Sequence, residues 1–319
     1  MILVVAPEPP LWLPFVLERE GAALDDITFV SMWSIVRRGS NAWASGRTDR
    51  QIAARFALRD ATDRVAARRL TDEVTTIYAP SLAAQRTFAR ARRNTGPTRC
   101  VLVEDLPDLR QLHDDLDRAA IAHPEFRFLN RYRADRSRLS RQVAERVLAD
   151  FIVVRGDFAR RCRLASGLDP GRVELLGRPA AIATRRAIDG HRPTLLLAGL
   201  ATARGGLAEA LAALDAIPEA SLVVRAGEGL EPADALAHPR VRQGSAAEFT
   251  RFDDIDLVVA PSWCEAALPE ISLAAGLGIP IVATERAAGM VDLDKVGVAI
   301  DPGDVEGLVA AITLMLRRA

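Results

Sequence analysis

Glu265 is the residue best placed by its neighbours to do chemistry. It closes the stretch Asp256-Leu257-Val258-Val259-Ala260-Pro261-Ser262-Trp263-Cys264-Glu265, and a second apolar run, Gly278-Ile279-Pro280-Ile281-Val282-Ala283-Thr284, follows it. The pattern predicts a buried strand, a polar turn, a short helix and another buried strand. In parallel α/β sheets, ligands bind outside the carboxyl ends of the strands, where helix N-termini offer free N–H groups to anions. Glu265 stands at such a handover and suits ligand contact; the competing role is a first-turn acid interacting with the helix dipole. Glu104 and Asp105 end another apolar run, Cys100-Val101-Leu102-Val103, and are candidate catalytic acids on the same ground. Ser262 reads as a turn residue that satisfies local backbone N–H groups.

These residues need a scaffold, and the chain predicts one. Strands are expected over 1–10, 26–30, 74–78, 100–103, 151–154 and 173–176, with helical patterns ending near Leu70 and over 84–93, 109–148 and 157–166. His123-Pro124 interrupts the long charged pattern. From residue 193 the alternation is regular, with strands at 194–198, 221–225, 257–260 and 281–284 and helices at 206–216, 247–252, 268–277 and 304–317. Strands separated by helices imply parallel β-α-β units. The expected architecture is α/β: two Rossmann-like domains with parallel sheets facing across a cleft. Domain 1 covers 1–180, the linker 181–192, domain 2 193–303, and a C-terminal helix 304–319 is positioned to contact the first domain.

Composition narrows the classes. A chain of 319 residues, about half of them apolar, suits two globular cores. Its apolar runs fall far short of the roughly 20 residues needed to span a bilayer. Cys100, Cys162 and Cys264 and the four scattered histidines show no metal-type spacing, so a reduced, cytoplasmic protein without a metal is expected. Net charge is zero, yet residues 1–180 hold 30 arginines against 23 acids, and the remainder 12 basic against 19 acidic residues. The plain reading is two solvated surfaces, and the sharper one a basic half approaching an anionic substrate or a membrane surface. Lys295 is the only lysine, which points to compositional bias toward arginine. The segment 131–138 is Arg-rich but carries no nucleic-acid motif, so a solvated helix face is favoured and no nucleic-acid partner is expected. Trp12, Trp33 and Trp43 could line an acceptor pocket or pack a core.

The second half resembles the donor-binding domain of family 4 glycosyltransferases. Thr194–Gly199 followed by Arg204-Gly205-Gly206-Leu207 looks like its opening, and Ser221–Gly229, with Gly227, like its strand and glycine loop. The 256–265 stretch, Gly278–Thr284 and Asp301-Pro302-Gly303-Asp304 follow in the family's order. Glu145, Ala149-Asp150, Phe151–Val154, Gly167-Leu168 and Val173–Gly177 resemble its domain junction. The resemblance spans about 72–317.

It implies a GT-B fold and transfer of a sugar from a nucleotide-sugar donor of UDP or GDP type, retaining and metal-independent, with no other cofactor. The acceptor, a glycan, lipid or small molecule, would bind the N-terminal domain. Glu265 would contact the donor sugar, the N–H groups of Ala266, Ala267 and Leu268 would face the diphosphate with Arg204, and Glu270 would be the candidate for the ribose. A diphosphate leaving group without a metal needs such dipoles and charges.

The chain departs from the family at specific places. A second glutamate is expected eight residues after Glu265, where Leu273 stands. Leu200 replaces a phosphate-binding arginine, Ala266 and Ala267 replace glycines, Pro9-Pro10-Leu11-Trp12 replaces an N-terminal glycine loop, and a histidine near Glu104 is absent. The alternative is therefore a non-catalytic GT-B protein, a partner subunit or binding module that has lost donor contacts.

Overall fold

The computed structural model describes residues 1–6, 12–23, 25, 27–30, 48–94, 96–104, 107–124, 133–176, 182–184, 192–199, 201–225, 237–245, 248–264 and 268–317. It has two compact units. The first comprises Met1–Leu109, Ala134–Arg155 and Arg160–Gly177; the second comprises Arg110–Arg133, Gly156–Ala159 and Arg178–Ala319.

Among the described residues each unit has one six-stranded, wholly parallel sheet. In the first, β1 (Ile2–Val5), β2 (Ile27–Val30), β3 (Thr76–Pro80), β4 (Arg99–Glu104), β5 (Phe151–Val154) and β6 (Val173–Leu175) are ordered β2-β1-β3-β4-β5-β6. In the second, β7 (Thr194–Leu197), β8 (Ser221–Arg225), β9 (Val241–Gly244), β10 (Leu257–Ala260), β11 (Ile281–Thr284) and β12 (Gly297–Ile300) are ordered β12-β11-β10-β7-β8-β9. Both orders reverse direction once, as doubly wound sheets do. The α/β expectation therefore holds. Sequence patterning missed β9 and β12: Val241-Arg242-Gln243-Gly244 lacks an apolar run, and Gly297 opens β12. Residues 31–47 and most of the expected linker lie outside the described residues. No described helix is long and apolar enough to cross a membrane.

Two-residue periodicity explains the second core. Leu196, Val223, Val258, Ala260, Ile281 and Ala283 share one cluster with Phe249, Phe252 and Ile271. Leu195, Leu197, Leu222, Val224, Val259 and Val282 share the other with helices Leu207–Ala216 and Val305–Arg317, through Leu207, Leu214, Leu308, Ile312 and Met315. Successive residues of a strand face opposite sides, so a sheet covered on both faces needs uninterrupted apolar runs. In the first unit Trp12 is buried with Val4, Val16 and Tyr78, which makes it a core residue; Trp33 and Trp43 lie outside the described residues.

Carboxylates hold the turn after β3. Glu145, buried, accepts from the backbone N–H groups of Leu82 (2.7 Å), Ala84 (2.9 Å) and Gln85 (3.1 Å). Asp63 accepts from those of Arg86 and Thr87, both at 2.9 Å. Leu82 takes a left-handed φ of 65°, costly for a branched side chain, and Glu145 fixes it there. Arg141 ties the set together, reaching Asp60 and Asp63 at 2.5 Å and Glu145 at 3.2 Å. Burial pulls the Asp60 carboxyl up, but hydrogen bonds and charge from Arg86 and Arg141 outweigh it and hold the group below its usual 3.8. A depressed carboxylate adds stability above its unfolded value that is lost as pH falls through the folded one. Asp60→Asn should therefore lower the urea midpoint at pH 7. It should also flatten the acid limb of stability below pH 3.8, measured by denaturation across pH.

Candidate functional site

In the second sheet the order reverses between β7 and β10, so the crevice expected for a ligand opens at the carboxyl ends of these two strands. Glycines bring the flanking loops together. Gly199 has φ 82°, and a Cβ there would lie 3.1 Å from the Leu268 side chain. Gly206 has φ 85° and caps helix Leu207–Ala216; a Cβ there would sit 2.4 Å from the Pro261 carbonyl oxygen. Only glycine allows both the left-handed turn and this backbone contact. Thr202 Oγ1 accepts from the Gly205 N–H at 3.1 Å, shaping the turn in front of that helix.

The loop after β10 is cross-linked to that turn. Both the Ser262 hydroxyl (3.2 Å) and the Trp263 N–H (2.9 Å) donate to the Arg204 carbonyl. Thr284, at the end of β11, donates to the Ser262 carbonyl at 3.0 Å. Ser262 thus donates to a carbonyl, where the sequence suggested that it would accept from N–H groups. Arg204 and Gly205 lie on this turn, with Arg204 half-buried and Gly205 buried.

Leu268 packs its side chain into the apolar core beside Gly199, and its N–H, expected to face the diphosphate, is committed instead to the Ala287 carbonyl at 3.0 Å. Glu270, buried in the first turn of helix Pro269–Gly276, forms an ion pair with Arg225 at the end of β8. The Arg225 guanidinium also lies 4.6 Å from the Phe249 ring centroid. The other Glu270 carboxylate oxygen, Oε2, is buried and has no hydrogen-bond partner among the described residues. Leu273, on the same helix, is 37% exposed. Glu265, Ala266, Ala267, Gly227 and Leu200 lie outside the described residues, as does Asp105 in the first unit.

Glu104 belongs to the first unit. It is 2% exposed and bonded by Arg146 at 2.6 Å and by Arg163, each guanidinium taking a different carboxylate oxygen. Both arginines also meet Asp108. Enclosed in this way, Glu104 is an ion-pair centre whose negative charge is already matched.

Sequence reasoning missed the partners of Trp263. Its indole N–H donates to Glu209 Oε1 at 2.7 Å, and Arg286 donates to its carbonyl. A glutamate in a helix's first turn and a tryptophan in a loop, 54 residues apart, carry no local signal of each other.

The two sheets and their strand orders define the GT-B class of fold. No protein-family model and no curated protein matches the sequence. Among solved structures the chain is similar to the lipopolysaccharide outer core galactosyltransferase WaaB, at 11% identity over 100% of this chain and 91% of that one, with a TM-score of 0.61. It is also similar to sucrose-phosphate synthase from Thermosynechococcus elongatus, at 16% identity over 82% and 69%, TM-score 0.58. A third is trehalose-6-phosphate synthase OtsA, at 11% identity over 100% and 91%, TM-score 0.56. Likeness at such identities establishes the fold and leaves function to be argued from the site.

The Gly206 contact is directly testable. Gly206→Ala must strain a left-handed turn and push Pro261 away, so it should cost about 2–4 kcal/mol in chemical denaturation. Gly167→Ala, equally left-handed but with nothing within 4 Å of the added carbon, should cost about 1 kcal/mol.

Proposed function

We propose that the chain is a nucleotide-sugar-dependent glycosyltransferase, related to family 4, retaining and metal-independent, with its donor site in the second unit. The observation that carries this reading is the meeting of the Gly199–Gly206 and Pro261–Trp263 loops at the reversal between β7 and β10. Support comes from the GT-B neighbours, whose names describe transfer or synthesis of sugars.

In this reading the leaving diphosphate develops negative charge that Arg204 and loop N–H dipoles offset. Glu265 contacts the donor sugar, with Ala266 and Ala267 beside the phosphates. Glu270 Oε2, buried and lacking a described partner, is available to a ribose hydroxyl while Arg225 holds Oε1. This would substitute for the acid absent at Leu273. The donor is a UDP- or GDP-sugar, and the acceptor, a glycan, lipid or small molecule, is the business of the N-terminal unit. A cytoplasmic location, with membrane approach through the basic half, fits a lipid acceptor.

The second reading, a GT-B protein without activity, is favoured by one observation: the Glu270–Arg225 pair neutralises the carboxylate offered for the ribose. Thermal shift and donor hydrolysis with UDP-glucose, GDP-mannose and ADP-glucose separate the two. A donor present at 100 times its Kd should add about 2.7 kcal/mol of stability, a shift of several degrees. Glu265→Gln should keep that shift and lose about 100-fold or more in turnover, and Arg204→Ala should weaken the shift. No stabilisation by any of the three would sink the transferase reading.

A further inference from the structure

Resting on the donor site proposed above, we propose that Glu209 and Arg286 are positioning residues that act through Trp263 to fix the loop leading to Glu265. Trp263 is 5% exposed and held on every side. Its backbone N–H donates to Arg204, its carbonyl accepts from Arg286, and its indole N–H donates to Glu209. Its ring lies flush on the loop after β12, where a Cβ at Gly303 would come within 2.6 Å of ring carbon Cη2. The segments that follow β7, β11 and β12 therefore all meet Trp263, through its backbone or its ring, in the loop after β10.

The outer partners are themselves fixed by residues of the same unit. Glu209 is 1% exposed, and its Oε1 also meets His123 Nε2 at 2.7 Å; the His123 ring stands edge-on to the indole at 6.5 Å. Arg286 pairs with the fully buried Asp115 at 2.5 Å, and its guanidinium lies 5.3 Å from the Phe158 ring centroid.

Packing alone does not account for this arrangement. A phenylalanine would fill most of the same volume, and burying two carboxylates with an arginine and a histidine adds little net stability over apolar groups. Directional bonds do something packing does not: they fix the indole's rotation and, through the carbonyl, the direction in which the chain leaves Trp263. Two residues later that chain reaches Glu265.

The test uses Glu209→Ala, Trp263→Phe and the conservative Glu209→Gln, which keeps the acceptor oxygen. Backbone amide exchange should rise about tenfold or more across 262–264 in the first two variants while strand 257–260 stays protected, and Glu209→Gln should resemble the wild type. Turnover of UDP-glucose, GDP-mannose or ADP-glucose should fall about tenfold or more with KM within about threefold. Unchanged exchange over 262–264, or a rise that includes 257–260, overturns the positioning role. Retained turnover despite faster local exchange also overturns it. A wild-type protein that turns over none of the three donors defeats the proposed function, and the exchange data still decide whether Glu209 holds this loop.

Discussion

The approach of Gly206 to the Pro261 carbonyl is the constraint on which the second unit's crevice depends. It sets where helix Leu207–Ala216 begins relative to the end of β10. It also lets the Arg204 carbonyl accept from both Ser262 and Trp263, so the two loops behave as one piece of backbone. On the other side Gly199 makes room for the Leu268 side chain. The crevice is thus framed by a backbone contact at Gly206 and by short hydrogen-bonded turns around it.

Sheet strands were legible where burial on both faces demanded apolar runs, as at Leu257-Val258-Val259-Ala260 and Phe151-Ile152-Val153-Val154. They were illegible at the rim, where β9 reads Val-Arg-Gln-Gly and takes its conformation from pairing with β8. The frame of the candidate site was legible because Gly199, Arg204-Gly205-Gly206 and Pro261-Ser262 are close in sequence to the strand ends they serve. Its supports were not. Glu209 to Trp263 and Arg286 to Asp115 are tertiary pairs that no periodicity announces. Arg225 with Glu270 is another, and it makes the expected ribose ligand half of an ion pair.

The abundance of arginine takes on structural meaning in the first unit. Arg141, Arg146 and Arg163 are withdrawn from solvent and each is shared between two or more carboxylates. A planar guanidinium with five donors can serve several acceptors at once, which an ammonium does less well. These three cations are met by five carboxylates, Asp60, Asp63, Glu104, Asp108 and Glu145, so the clusters withdraw no net positive charge from the first unit, and its basic excess is carried by other arginines.

The rim of the second sheet has a bearing on self-association. β9 ends the sheet with Arg242 and Gln243 exposed and with Arg242 paired to Glu248. A neighbouring chain adding a strand there would have to strip water from a guanidinium and displace its carboxylate before gaining any ladder bond. The short, charged border thus stops the sheet from growing and protects a strongly apolar interior from strand-by-strand aggregation along that edge.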